Sequence, residues 1–301
     1  MPEGPSIVIL REQVQEFVGK KIVRVAGNSK IDQQRLIGEK VLSLRSWGKH
    51  FLIEFEAFSL RIHFLLFGTY RINERKESEP RLRLSFRSGE LNFYACSVQF
   101  VEGPLGATYD WRLDVLSDEW DPLLAKAKLR ADPDAFVCDA LLNQNVFAGV
   151  GNIIKNEVLF RIRVHPLSTI GELPPRKLNE LIREARTYSF EFLEWKKAFV
   201  LKKHWLVHTR SVCPRCHIPL HLEIIGRTQR RTFYCSRCQK LYAAAKVKKF
   251  RASKKTASKR GSRRSDDYVV AKAFGGKDAM HRERHSSGQK RRTRQAARAR
   301  L

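Results

Sequence analysis

The stretch LLNQNVFAGVGNIIKNEVLF, residues 141–160, predicts two short helices separated by a tight break. The apolar positions at helical spacing are Leu141, Leu142 and Val146 in the first segment and Ile153, Ile154, Val158 and Leu159 in the second. Gly149-Val150-Gly151 ends the first helix, and Asn152 is a good capping residue for the second. The stretch therefore predicts a helical domain built around a helix–turn–helix corner.

The start of the second helix is a candidate anion site. A helix N-terminus presents unpaired N–H groups that favour negative charge. With Lys155 one turn in, this corner could grip a DNA phosphate. The alternative is a tight connection between two helices with no binding role.

Strong positive charge points to a polyanionic partner. The 301 residues contain 58 Lys and Arg against 31 Asp and Glu, a formal net charge of +27. Residues 243–301 hold 20 of the basic and four of the acidic side chains, so the rest of the chain is cationic as well. Nucleic acid is the simplest such partner.

The sequence shows neither a long apolar run nor a recognisable signal peptide. We therefore expect an intracellular protein, with no membrane partner, in which thiols stay reduced. Cys96 and Cys138 lie among apolar residues and are expected to be inert core residues. The remaining four cysteines are clustered in sequence, which favours metal over disulfides.

The segment CPRCHIPLHLEIIGRTQRRTFYCSRC, residues 213–238, contains two C-x2-C pairs eighteen residues apart. Four thiolates in this pattern predict one structural Zn²⁺ ion. The ligands are expected to be Cys213, Cys216, Cys235 and Cys238. A metal would also explain how about thirty residues hold a fold. Because zinc ribbons bind many partners, the pattern predicts a module and leaves its function open.

Along the chain, the pattern changes from one helix to strands and back to helices. Residues 7–18 have helical spacing, residues 20–115 alternate like strands with a hairpin at Ser88-Gly89, and residues 122–208 are helical. The predicted fold is α+β and multidomain. It comprises an N-terminal β-sandwich with its helix, a helical domain, a C-terminal zinc ribbon and a basic tail expected to be disordered. The expected boundaries are 1–118, 119–212, 213–242 and 243–301.

The N-terminal sequence MPEGP raises the possibility of chemistry at the chain's own amine. Removal of Met1 would leave Pro2 as a secondary amine, and an α-amino group titrates near ~7.7–8.0. A useful fraction would then be an uncharged nucleophile, with the carboxylate of Glu3 beside it. The alternative for this stretch is simply an ordered terminus.

Two further stretches are ambiguous when taken alone. WGKHFLIEF puts Lys49 behind a glycine at the start of a strand, which is common in proteins without any function attached. HFLLFG places Leu65, Leu66 and Phe67 between His63 and a glycine. This second stretch fits either a core strand or a loop tip that carries apolar side chains.

Together these stretches resemble one family, the formamidopyrimidine-DNA glycosylase and endonuclease VIII group of base-excision repair enzymes. The resemblance runs from Pro2 to about Tyr242. PEGP, GK, H-x-x-x-x-G, LLNQ…GVGN…HP and QRRTFYC…CQK occur in the family's order. MPEGP and the contiguous LLF look more like the endonuclease VIII branch, and QRRTFYC looks equally like the formamidopyrimidine branch. The helical corner would then be a helix–two-turns–helix motif.

The resemblance implies a bifunctional glycosylase and abasic-site lyase that excises oxidised bases, pyrimidines being favoured over purines. Pro2 would attack C1′ of the damaged nucleotide and form an iminium, and Glu3 would move protons. β- and δ-elimination would then nick the strand.

The remaining roles implied by the resemblance concern DNA. Lys49, Arg230, Asn152 and His63 would hold phosphates around the lesion. Leu65, Leu66 and Phe67 would fill the gap that a flipped base leaves. The expected partner is damaged double-stranded DNA, bound by a monomer associated with DNA, most simply in a bacterial cytoplasm or nucleoid.

Two departures from the family accompany the resemblance. Many relatives carry a carboxylate where this chain has Ser6, which leaves turnover open, and the ribbon is two residues longer than in typical relatives. A rival reading is a non-catalytic DNA-binding protein, but binding alone needs no free amine beside a carboxylate. The basic tail lies outside the resemblance and would add salt-sensitive DNA affinity or serve targeting.

Overall fold

The computed structural model of the chain describes residues 2–243. The basic tail predicted over 243–301 therefore lies, except for its first residue, outside the described residues. Within the described part, no helix combines the length and the apolar character needed to cross a membrane.

The N-terminal half forms a six-stranded antiparallel sheet in the order β1-β5-β6-β4-β3-β2. Its strands are β1 Ile22–Ala26, β2 Ser43–Trp47, β3 His50–Glu54, β4 Phe58–Ile72, β5 Leu82–Phe86 and β6 Gly89–Glu102. β4 and β6 are long enough to take part in both layers of a β-sandwich. One part of their ladder continues into β3 and the other into β5, with a register shift between Phe64 and Thr69.

The N-terminal helix α1, Gly4–Gln13, packs against this sheet. It begins earlier than the predicted helix over 7–18, and a short 3₁₀ turn, Gln15–Phe17, completes the segment. Ile7, Leu10 and Phe17 are buried in the same apolar core as the strands. The helix therefore fixes where the two residues before it, Pro2 and Glu3, can lie.

The second half is helical, as predicted. After α2, Leu105–Thr108, come α3 Pro122–Arg130, α4 Val137–Ala140, α5 Asn152–Arg161 and α6 Pro175–Lys197. α5 and α6 pack together around a separate apolar core, and α6 also contacts α1. Where α6 meets α1, Lys197 in its last turn pairs with Glu12 in the last turn of α1.

The first helix predicted within the 141–160 stretch is not formed. α4 ends at Ala140, before Leu141, Leu142 and Val146, and the chain continues in turns. Gln144 explains the difference, because its side-chain amide donates to the carbonyls of Leu142 and Val150 and its oxygen accepts from the N–H of Gly149. Side-chain bonds of this kind compete with continued helix.

The cysteine-bearing segment forms a hairpin of β7 His221–Ile225 and β8 Arg230–Tyr234. The predicted fold class is confirmed: a sandwich with its helix, a helical domain with the two-turn corner, and a cysteine-bearing hairpin of the zinc-ribbon kind. The domain boundaries at about residues 118 and 212 stay predictions.

Candidate active site

The carboxylate of Glu3 lies at the N-terminus of α5. Its oxygens accept from the N–H of Ile153 at 2.7 Å and of Ile154 at 3.3 Å. A side chain at Gly151 would collide with this carboxyl, since an added Cβ would lie 2.3 Å from Glu3 Cδ. The capping role predicted for Asn152 is therefore wrong: Gly151 is the N-cap, and Glu3, from the far end of the sequence, satisfies the helix.

Glu3 is buried and has Lys49 as its charged neighbour. Burial raises the pKa of Glu3, while Lys49 and the helix N–H groups act to lower it. Burial likewise lowers the pKa of Lys49, with Glu3 opposing and Arg230 adding to the shift. Glu3 and Lys49 therefore each stabilise the charged form of the other in a buried site. Buried titratable groups coupled in this way are typical of sites that transfer protons.

The turn that carries Lys49 is held by the linker between the two halves. The N–H of Gly48 donates to Asp114 Oδ2 at 2.8 Å, and Leu116 donates to Oδ1 at 2.9 Å. Asp114 is buried, and burial raises its pKa to about 6. This carboxyl therefore fixes the turn that presents Lys49 to Glu3.

Three glycines bring the site's backbone segments into direct contact. Gly4 N–H donates to the carbonyl of Gly149 at 2.9 Å. A Cβ added to Gly4 would lie 2.9 Å from the Gly149 Cα, and one added to Gly48 would lie 2.9 Å from the Gly149 nitrogen. The N-terminus, the Lys49 turn and the α4–α5 corner can approach this closely only without side chains.

Pro2 and Glu3 line a cleft of about 1690 Å³. The same cleft is lined by Ser6 from α1 and by Leu66 and Phe67 from β4. The structure thus brings the predicted nucleophile and the predicted apolar side chains to one cavity.

The segment Leu65–Phe67 forms a protruding tip within β4. Leu65, Leu66 and Phe67 are 51%, 60% and 81% exposed, whereas Phe64 just before them is buried. They fall within the register shift of β4 and have no partner on β6. The core-strand alternative for this stretch is therefore excluded.

His63 lies on β4 opposite His50 of β3, and the two rings meet edge to face at 5.2 Å. Burial lowers the pKa of His63, with Lys49 and Arg61 adding to the effect. The phosphate contact predicted for His63 stays a prediction.

The two arginines at the start of β8 point to opposite faces of the hairpin. Thr232 is buried against α5, and Arg230, two residues before it, shares its face. Arg230 is exposed and close enough to Lys49 and Lys155 to lower the pKa of both. Arg231 lies on the other face, so the hairpin directs Arg230 toward Lys49 and Glu3.

Lys155 lies between the hairpin and α5 rather than at the surface. Lys155 is 1% exposed, and its Nζ donates to Thr232 Oγ1 at 2.7 Å and to the Arg231 carbonyl at 3.3 Å. The amide of Asn152 donates to that same carbonyl at 2.9 Å. Burial lowers the pKa of Lys155 to about 8. Both side chains hold the hairpin against α5.

Asp139 of α4 holds the hairpin tip, which sequence analysis did not find. Its carboxylate accepts from the N–H groups of Arg227 and Thr228 and from the Thr228 hydroxyl, at 2.8–3.0 Å. The partners lie nearly ninety residues apart, and an Asp at the start of a helix has many ordinary explanations. No sequence signal distinguishes this one.

The four predicted cysteine ligands meet in one cluster. Their sulfur atoms all lie within 4.8 Å of one another, close enough to hold a metal ion. Cys96 and Cys138 are buried apart from this cluster, as expected. Four sulfur donors at tetrahedral spacing fit zinc well.

Comparison with known families agrees with this geometry. The formamidopyrimidine-DNA glycosylase N-terminal domain matches residues 1–100, and the formamidopyrimidine-DNA glycosylase H2TH domain matches residues 113–197. Together the two models cover more than half of the chain.

Individual relatives carry related names. Mouse endonuclease 8-like 3 is 32% identical over 64% of this chain, and the chain spans only about a third of that relative's length (33%). The DNA-(apurinic or apyrimidinic site) lyase Nei2 of Mycolicibacterium smegmatis is 26% identical, covering 79% of this chain and 99% of that protein.

Solved structures show the same fold. The formamidopyrimidine-DNA glycosylase of Lactococcus lactis, bound to DNA containing an abasic site, matches with a TM-score of 0.70 at 20% identity. The match covers 79% of this chain and 99% of that one. On the two domain models and this fold, the chain belongs to the formamidopyrimidine-DNA glycosylase and endonuclease VIII family.

Proposed function

We propose that the chain is a DNA glycosylase with abasic-site lyase activity that removes oxidised bases, pyrimidines in preference to purines. The observation that carries this proposal is the placement of Glu3. Its carboxylate is buried at the start of α5, beside Lys49, and shares a cleft with Pro2. Capping α5 alone would account for a buried carboxylate, but its position beside Lys49 and in the cleft of Pro2 favours catalysis over DNA binding alone.

The proposed reaction starts from the Pro2 nitrogen after loss of Met1. The nitrogen forms a bond to C1′, the glycosidic bond breaks, and the base leaves with the electron pair and takes up a proton. Glu3 protonates the sugar ring oxygen as the ring opens to the iminium. Loss of a C2′ proton then expels the 3′ phosphate, and a second elimination expels the 5′ phosphate.

The rest of the site would hold the DNA. Lys49 and Arg230 supply positive charge around the sugar, and the exposed tip Leu65–Phe67 would occupy the space of the flipped base. Asn152 and Lys155 serve indirectly, through the hairpin. Zn²⁺ on the four cysteines would stabilise the hairpin. The partner is damaged double-stranded DNA, and a monomeric, DNA-associated protein stays the prediction.

Reduction with borohydride during incubation with abasic-site DNA tests the proposal. A covalent protein–DNA adduct is expected, with the linkage mapping to Pro2, and intact mass should show loss of Met1. If zinc-loaded protein without Met1 forms no adduct, the non-catalytic DNA-binding reading replaces this one. A panel of oxidised pyrimidine and purine lesions in duplex DNA distinguishes the two substrate classes.

The two hairpin arginines provide a matched pair of variants. Arg230→Ala is expected to slow lesion processing by ~10–100-fold, since a hydrogen bond to a charged group is worth ~1.5–3 kcal/mol. Arg231→Ala removes the same charge from the opposite face and should cost much less, because the contacts at residue 231 use its carbonyl. Single-turnover nicking measures both, and the reverse ranking would contradict the assignment of Arg230.

A further inference from the structure

A lysine on the last turn of α6, Lys196, lies in the same cleft as Pro2 and Glu3. It lines the cavity together with Pro2, Glu3 and Ser6. Phe192, one helical turn earlier, lines it as well, so the two side chains share one face of α6. Lys196 is half-buried, unlike the exposed lysines that follow it.

The neighbouring residue fixes the position of this helix end. Lys197 Nζ lies 2.9 Å from a carboxylate oxygen of Glu12 on α1. The pair ties the last turn of α6 to the helix that begins at Gly4. The last turn of α6, which carries Lys196, is therefore fixed against the last turn of α1.

The charge of Lys196 has no direct partner within residues 2–243. Its side-chain ammonium forms no hydrogen bond and no ion pair with those residues. Burial lowers the pKa of Lys196, and the carboxylate of Glu3 acts in the opposite direction. Glu3 already accepts from the N–H groups of α5, and Ser6 carries no charge. An ammonium group thus borders the cavity with its donors available.

We propose that Lys196 donates a hydrogen bond to a carbonyl oxygen of the flipped base, and so favours bases that place an acceptor oxygen at this side of the cleft. This inference rests on the proposed function. Hydrogen bonds from a charged donor are about twice as strong as neutral ones. A base without an acceptor at this place would leave a half-buried ammonium unpaired, which is the stronger source of discrimination.

DNA that already lacks the base separates this role from catalysis. Lys196→Met is expected to slow nicking of duplex DNA containing 5-hydroxyuracil by ~10–100-fold, the range for a lost charged hydrogen bond. Nicking of abasic-site DNA needs no base contact, and its rate should stay within about twofold of wild type. Release of free 5-hydroxyuracil, measured by mass spectrometry, should fall in parallel with the nicking of the base-bearing substrate.

Two further variants serve as controls. Lys203→Met removes the same charge from an exposed lysine that lines the cleft, and should change both rates equally and slightly. Lys196→Arg keeps a charged donor and should recover part of the base-dependent rate. Equal losses on both substrates with Lys196→Met, or none, would overturn this inference. Absence of a borohydride adduct in the wild type would instead overturn the proposed function.

Discussion

Cys235→Ser is expected to release the metal and to lower lesion processing by at least ~100-fold. The hairpin has five residues in each strand, and Leu222 and Ile224 on β7 are exposed. The apolar cluster beside it has four buried residues, Phe160, Val207, Cys213 and Cys235, and two of these are the predicted metal ligands. A two-stranded hairpin of this size is marginal in water, whereas bound zinc supplies ~10–16 kcal/mol in small modules. Without the metal, β8 would no longer direct Arg230 toward Lys49.

Metal content by inductively coupled plasma mass spectrometry and nicking of lesion-bearing DNA measure the two effects. Wild-type protein should contain one zinc ion per chain and the variant less than a tenth of that. Cys96→Ala is the matched control, because Cys96 is buried in the sheet core away from the cluster. It should retain both zinc and activity. A Cys235→Ser protein that keeps full activity would refute the role given to the ribbon.

Glu3→Gln is expected to slow base excision by ~10²–10⁴-fold, the usual contribution of a positioned acid or base. The glutamine side chain has nearly the same shape and can still accept from the start of α5, so the site should keep its geometry. Single-turnover base release measures the loss. Glu16→Gln removes a carboxylate just beyond α1 and should leave the rate unchanged.

The same substitution should leave the fold intact, and the reason lies in the pKa of Glu3. Burial raises that pKa above the unfolded value, so ionising the carboxyl costs the folded state stability as pH rises through the interval between the two pKa values. Glutamine avoids this cost at pH 7. Glutamine also removes the counter-charge of the buried Lys49, so the two effects oppose each other and the melting temperature should stay close to that of the wild type. A large fall in melting temperature together with the activity would mean that the loss of activity comes from the fold.

The sequence predicted the fold class because its motifs are local and occur in a fixed order. Neighbouring residues were enough to place the cysteine cluster. The stretches around Leu65–Phe67 and Pro2 stayed ambiguous on their own, and only the resemblance favoured apolar side chains at a tip and a nucleophile. The family resemblance named Lys49 and Glu3 as site residues, but only the fold shows that their charges are neighbours. Helical spacing and C-x2-C pairs can be recognised in a single sequence because each is defined by residues only a few positions apart.

What the sequence could not predict was set by distant contacts. Lys155 looked exposed at the start of a helix, and only the fold shows Thr232 of the hairpin, 77 residues later, packed against it. Asn152 was predicted to cap α5 because the sequence does not show that Glu3, about 150 residues earlier, accepts from the start of this helix. A helix was predicted through Leu141, Leu142 and Val146 because apolar spacing does not reveal that the Gln144 side chain bonds to the backbone there.

The meeting of Gly4, Gly48 and Gly149 has a consequence for how such a protein can diverge. Because the three backbones touch, none of the segments can shift without displacing the other two. Pro2, Glu3 and Lys49, which these segments carry, are therefore held in one relative position. New lesion preferences should arise by substitution around the rim of the cavity, while this all-glycine contact stays invariant through the change.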